Sequence, residues 1–184
     1  MTSLDTGIQV LLLDDEPAIV AALHRNLRAQ WPSAPPLLSV HGFTEPHAAL
    51  GHLLMHSVDV IVCDYRMPAM DGVEFLRRAR ALQPHAGRVL LTGSPDLDAV
   101  LRAVNEAAAA QVMLKPWPPG ELVQVVWRCQ AEAMQRRADA ARADAWRVAQ
   151  GELDAQEAQR RLSSLPEVIA VEPSSHAAIS ENAP

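Results

Sequence analysis

Runs of β-branched and leucine residues recur through the first two-thirds of the chain, at Ile8–Leu13, Leu37–Val40, Val58–Cys63, Arg88–Leu91 and Gln111–Leu114. They are continuous rather than alternating, which suits strands covered on both faces, as in a parallel sheet. Between them, apolar residues fall at helical spacing. Ile19, Leu23 and Leu27 share one helical face, with Val20 at its flank, and Ala49, Leu50, Leu53 and Leu54 make a second. Val73, Leu76, Ala79 and Leu82 make a third, and Leu97, Val100, Leu101 and Val104 match the i, i+3, i+4, i+7 template of a fourth. A fifth begins near Pro119 with Leu122, Val125, Val126 and Cys129. Thr44 before Glu45-Pro46, and Ser94 before Pro95, place a cap and then a proline in a first turn. Five strands and five helices in strict alternation predict right-handed βαβ crossovers and a doubly wound α/β sheet. In such sheets ligands bind outside the carboxyl ends of the strands.

Composition narrows the class. The 184 residues suit one domain with an appendage, and an apolar fraction of 49% is enough for a real core. Aromatics are only 4%, which argues against a stacking platform for single-stranded nucleic acid. The net charge of −6 offers no global attraction to a phosphate backbone, so no direct nucleic-acid binding is expected. Two cysteines, Cys63 and Cys129, are too few for a disulfide framework or a structural zinc site and fit a reducing compartment. The run Val58–Cys63 is broken by Asp59 and too short to span a bilayer, and residues 1–9 lack the features of a signal peptide. The expectation is a cytoplasmic protein without a membrane segment.

Candidate chemistry lies just past the strands. The first run is followed by Asp14-Asp15-Glu16, the third by Asp64, the fourth by Thr92 and the fifth by Lys115-Pro116. Three converging carboxylates repel one another unless a divalent cation neutralises them, and oxygen-only ligation with few protein ligands suits Mg²⁺. A carboxylate in that setting can attack phosphorus to form an aspartyl phosphate. The lysine then balances phosphoryl charge and the threonine hydroxyl donates to a phosphoryl oxygen. Taken singly, a strand-end Asp is as well explained as a helix cap, and Lys-Pro as a turn.

The segments LLLDDEP, CDYRMPAMDG, LLTGS and MLKPW, in this order and spacing, resemble the successive motifs of bacterial response-regulator receiver domains, over roughly residues 8–130. The resemblance implies a flavodoxin-like five-stranded sheet of order 2-1-3-4-5 that takes a phosphoryl group from a sensor histidine kinase or phosphotransfer protein. It implies Asp64 as phospho-acceptor, Asp15 as a direct Mg²⁺ ligand and Asp14 acting through metal-bound water. The backbone carbonyl of Arg66 completes the ligands, Thr92 is the switch hydroxyl and Lys115 pairs with the phosphoryl group. It further implies a cis Lys115–Pro116 bond, and a signalling receiver whose only catalysis is its own phosphorylation and dephosphorylation. Two positions depart from the pattern. Val112 stands where the family has a switch aromatic, and Arg66 sits two residues past the acceptor, where a side chain can face the phosphoryl group. Trp117 after Lys-Pro is read as a ring packed at the start of the fifth helix, and Cys63 as a buried strand residue. His41, His47, His52 and His56 cluster loosely, without the acidic or cysteine partner a metal site calls for.

Three parts follow from charge: residues 1–131 as the receiver, 132–162 as a helical extension and 163–184 as a disordered tail with three acidic residues and no Lys or Arg. Gly120 to Gln150 can run as one helix continuing the fifth, about 45 Å at 1.5 Å per residue. Gly151 is placed to break it, and Glu157 with Arg161 to let it resume. Met134, Trp146, Val148, Leu153 and Leu162 do not form a heptad, so the extension reads equally as a solvated helix or a docking arm, with Trp146 the anchor candidate. Signalling is expected through phosphorylation-dependent contact, including a homodimer through the face of the fourth helix, fifth strand and fifth helix or through the C-terminal helix. The alternatives are a phosphorylation-independent interaction module, and a remnant of a larger transcriptional or cyclic-dinucleotide regulator. A haloacid-dehalogenase phosphatase requires an Asp-x-Asp nucleophile on its first strand, and here that strand runs into Asp14-Asp15-Glu16.

Overall fold

Val10, Leu12, Val60, Val62, Val89 and Leu91 face one side of a central sheet, and Leu11, Leu13, Ile61, Cys63 and Leu90 the other. Period-two alternation of wholly apolar strands leaves neither face for water, so both must be covered. In the computed structural model, which describes residues 7–33, 36–94 and 97–163, they are. The strands are β1 (Ile8–Leu13), β2 (Leu38–Phe43), β3 (Val60–Asp64), β4 (Gly87–Thr92) and β5 (Gln111–Leu114). The helices are α1 (Pro17–Gln30), α2 (Pro46–Met55), α3 (Gly72–Leu82), α4 (Leu97–Asn105), α5 (Glu121–Ala149) and α6 (Ala155–Ser163). All strand pairs are parallel, in the order β2-β1-β3-β4-β5, which is the flavodoxin-like arrangement. Leu23 and Leu27 of α1 and Leu122, Val125 and Val126 of α5 cover one face; Ala49 and Leu53 of α2, Phe75 and Leu76 of α3 and Ala103 of α4 cover the other.

Register brings the strand ends together. Leu13 pairs with Cys63, so Asp14 and Asp64 follow side by side. Asp64 pairs with Leu91 and Thr92 with Leu114, which sets Thr92 and Lys115 along the same edge.

Three expectations change. The proline of α2 stands at its start, but the cap position is Glu45, not Thr44, and no side chain caps it; Pro95 lies outside the described residues. The stripe on α4 does not face inward: Leu101 and Val104 are half exposed, and the helix rests on Ala103 and the following Ala107. The helix breaks at Gly151 and resumes through Glu157 and Arg161 where the sequence placed it, but what resumes is a separate element, so there are six helices among the described residues where five were expected. α5 ends in a Schellman turn, with Gly151 N–H bonded to Val148 O at 3.0 Å and Glu152 N–H to Arg147 O at 2.9 Å. Gly151 there has φ +72°, where a Cβ is strained. Asp154 caps α6 through the amides of Gln156 and Glu157, and Arg161 reaches Asp144 at 3.9 Å, so α6 folds back along α5. Residues 164–184, where the tail is expected, lie outside the described residues.

Candidate functional site

Asp64 is the last residue of β3, and its carboxylate is held from two sides. Oδ2 accepts the main-chain N–H of Arg66 at 2.7 Å. Oδ1 meets Lys115 Nζ at 2.5 Å, and the same ammonium reaches Asp14 Oδ2 at 2.9 Å. Asp14 is 1% exposed and also accepts the N–H of Glu16 at 3.0 Å, so it closes its own turn instead of capping α1. Burial is the largest single influence on Lys115 and would lower its pKa. The hydrogen bonds and charges of Asp64 and Asp14 together outweigh it, and the ammonium stands above its ordinary value.

A cleft of about 320 Å³ opens over these groups, lined by Asp14, Asp15, Asp64, Arg66, Thr92 and Lys115 among others. All six residues expected from sequence therefore line one place. The Thr92 hydroxyl donates to Ser94 O at 3.0 Å and accepts from Ser94 N at 3.3 Å, so it is engaged in its own turn and not with Asp64. The side chain of Arg66 is exposed and lines this cleft and an adjoining one of about 450 Å³ bounded by Asp15, Tyr65 and Asp71. The Lys115–Pro116 bond is cis.

The donor chemistry suits a hard divalent cation. Asp14, Asp15, Glu16 and Asp64 line the cleft against Lys115 and Arg66, and carboxylate and carbonyl oxygens are what Mg²⁺ selects. As the side chains stand, no three of the described His, Cys, Asp and Glu converge on an ion-sized point; Lys115 draws Asp14 and Asp64 to itself.

Sequence reasoning missed several supports. A Cβ on Gly72 would fall 2.2 Å from Asp64 O and 2.8 Å from Leu90 Cδ1, so α3 starts directly against the acceptor's main chain. Asp71 caps α3 through Glu74 N–H at 2.8 Å, and its second oxygen lies 3.4 Å from Arg102 on α4. The Asp71-x-x-Glu74 spacing is a capping-box signal that was there to be read. A third feature is an apolar groove of about 410 Å³ between α1 and the residues after β5, lined by Ala18, Ile19, Ala22, Asn26, Pro116 and Trp117 and ending at Lys115. Trp117 is partly buried against the α1/α5 core, as expected. Val112 is partly buried against the opposite core. Cys63 is fully buried, and burial followed by the charge of Asp64 pushes its thiol well above the ordinary range. Trp146 is 60% exposed. His41, His52 and His56 do cluster, with ring centroids 4.7 and 4.3 Å apart.

A family model described as the response regulator receiver domain matches residues 10–127. The hydrogenase transcriptional regulatory protein HoxA of Cupriavidus necator is 37% identical over 140 residues, covering 76% of this chain and 27% of that protein. The cyclic di-GMP phosphodiesterase response regulator RpfG of Xanthomonas campestris is 32% identical, covering 73% of this chain and 36% of that protein. Among solved structures, the signal receiver domain of an HD domain-containing protein from Pseudomonas fluorescens superposes with a TM-score of 0.63 at 28% identity, over 70% of this chain and 98% of that one. The chain thus spans about a quarter to a third of the length of these full-length relatives. Among the described residues no helix is long and apolar enough to cross a membrane.

Proposed function

The chain belongs to the response-regulator receiver family of two-component signalling, and from that premise we propose that Asp64 accepts a phosphoryl group from a sensor histidine kinase or phosphotransfer protein. The observation that carries this is the Asp14–Lys115–Asp64 arrangement at the carboxyl edge of the sheet. In the transfer, one Asp64 carboxylate oxygen bonds to phosphorus as the bond from phosphorus to the donor imidazole nitrogen breaks; the electron pair stays on that nitrogen, and the imidazole, protonated on its other nitrogen, leaves neutral. Lys115 pairs with Asp64 beforehand and afterwards faces the phosphoryl oxygens, where its charge offsets theirs. The Arg66 N–H holds the second carboxylate oxygen, which fixes the plane of attack. Thr92 exchanges Ser94 O for a phosphoryl oxygen by rotating its hydroxyl, a small change that couples the chemistry to the start of α4. Asp15, Asp64, the main-chain carbonyl of Arg66 and, through water, Asp14 would hold Mg²⁺, which supplies positive charge to the transferring group.

The groove between α1 and Trp117 gives the donor protein an apolar seat that ends at Lys115. The half-exposed Leu101 and Val104 of α4 and Leu114 of β5 offer a surface for the phosphorylated chain to meet a partner or a second copy. The chain acts in this reading as a signalling receiver and not on an external substrate. Residues 1–131 are the receiver, and the helices beyond are its extension.

The test is the intact mass of the chain after incubation with Mg²⁺ and a small-molecule phosphodonor, beside Asp64→Asn. A single phosphoryl gain in the parent, absent from the variant, is expected. A folded parent that gains nothing would replace this reading by a phosphorylation-independent interaction module.

A further inference from the structure

At the end of the sheet opposite the carboxylates, the chain gathers positive charge. Arg80 lies in the last turn of α3, His85 and Arg88 flank the start of β4, and Arg136 and Arg137 come from α5. Arg137 reaches Asp59 at 2.7 Å and Val58 O at 3.0 Å, and Arg136 reaches His85 O at 3.4 Å. Burial, then the charges of Arg137, Arg136 and Arg88, hold His85 below the ordinary histidine range. Burial, then Arg136 and Arg80, bring Arg88 down to about 10. His85 and Arg88 therefore feel these arginines as like charges.

Negative charge at this place is scarce. Asp59 answers Arg137, and Glu132 lies 3.7 Å from Arg136. Arg80 meets Glu106 only through its main-chain carbonyl, at 3.5 Å. Arg136 Nε is buried with no hydrogen-bond partner among the described residues, an unmade bond of a charged donor. A basic patch of this kind runs against a chain whose net charge is −6.

We propose that the acidic C-terminal segment of this same chain, centred on Glu167–Glu172, docks in cis on this patch, its carboxylates facing Arg80, His85 and Arg136. Residues 164–184 carry Glu167, Glu172 and Glu181 and no Lys or Arg, and the first two bracket the apolar run Val168–Val171. The segment also starts in the right place. Arg161 lies beside Asp144, so the end of α6 stands roughly level with Arg142, about 8 Å from Arg137 as measured along the α5 axis at 1.5 Å rise per residue. The four residues from Ser163 to Glu167 span up to ~14 Å when extended. Short reach means a high effective concentration, which lets a weak charge-complementary contact persist.

The test compares the full chain with its Glu167→Gln/Glu172→Gln/Glu181→Gln variant by NMR, reading the His85 imidazole titration and the amides of residues 80–88 and 132–137. The docked carboxylates raise His85 in the parent, so the variant titrates lower by about half a pH unit, close to threefold in proton affinity. The reciprocal variant Arg80→Gln/Arg136→Gln should shift the amides of residues 165–173. Identical His85 titrations, with no amide change in either comparison, would overturn the proposal. So would a His85 difference that grows with protein concentration, because it would assign the contact to a second copy.

Discussion

Lys115 is the cation that pairs with both Asp14 and Asp64, and its removal separates its two roles. Asp14 has almost no access to water, so Lys115→Met leaves a buried charge uncompensated, beside a second carboxylate. Breaking such a pair costs about 3 kcal/mol at pH 7, read as a lower urea midpoint. A variant as stable as the parent at pH 7 would mean that the Asp14–Asp64 pair does not depend on the ammonium. The site residues were legible in the sequence because each follows directly on a strand, and a parallel sheet aligns its strand ends. Their contacts were not. The N–H of Arg66 and the turn that occupies Thr92 depend on local main-chain direction, which residue identity leaves open. The closeness of α3 to Asp64 shows only through what a Cβ at Gly72 would strike.

At the scale of elements, β2 and α2 meet through imidazoles. The rings of His41 on β2 and of His52 and His56 on α2 lie in series, with Phe43 5.1 Å from His52. His41 Nε2 bonds Gln9 Oε1 of β1 at 3.0 Å and Ser39 Oγ at 3.3 Å, while His52 Nε2 is buried without a partner. Burial first, and the charge of His56 second, lower both His41 and His52. A histidine lowered in the folded state binds fewer protons there than when unfolded. Its contribution to stability is full above its unfolded value of about 6.5 and is lost as pH falls below that. His85 acts in the same direction. Glu74, held at about 2 by hydrogen bonds from Arg77 and Arg78, titrates far lower and leaves the window clear. The melting temperature should thus fall between pH 7 and 5, and fall less in His52→Gln; equal slopes would remove the cluster as the cause. Element bounds were legible where both faces are buried, as in β1, and in the short β5. They failed at β2, which runs to Phe43 and not only to Val40, and the buried face of α4 was misread. The α4 stripe reads as a core face, yet β5 is the sheet's edge and too short to cover it, so Leu101 and Val104 stay outside while alanines make the contact.

For the whole molecule, the question is how the extension is joined to the receiver. Its charge pairs along the helix were readable, because partners three or four residues apart must meet; Arg142 with Asp139 and Arg161 with Glu157 are such pairs. The contacts that fix it to the domain were not, because they join residues far apart in the chain. Arg137 and Asp59 are separated by 78 positions, and Ala133 packs out of water where α5 leaves the sheet. Asp59 uses its other oxygen to accept the N–H of Gln9 at 2.9 Å, so one side chain ties β1, the start of β3 and the extension together. The pair is partly exposed, which limits its strength, but the added bond to Val58 O makes it a bidentate guanidinium grip. Arg137→Ala should loosen α5 beyond Ala138, together with α6, by about 1–2 kcal/mol, and speed amide exchange there roughly 5–30-fold. Amides of β1, β3 and β4 should keep their rates. That result would make the helix pair an arm that opens separately from the receiver, held by contacts at its root. Uniform acceleration through the sheet would instead show that the arm and the receiver unfold as one unit.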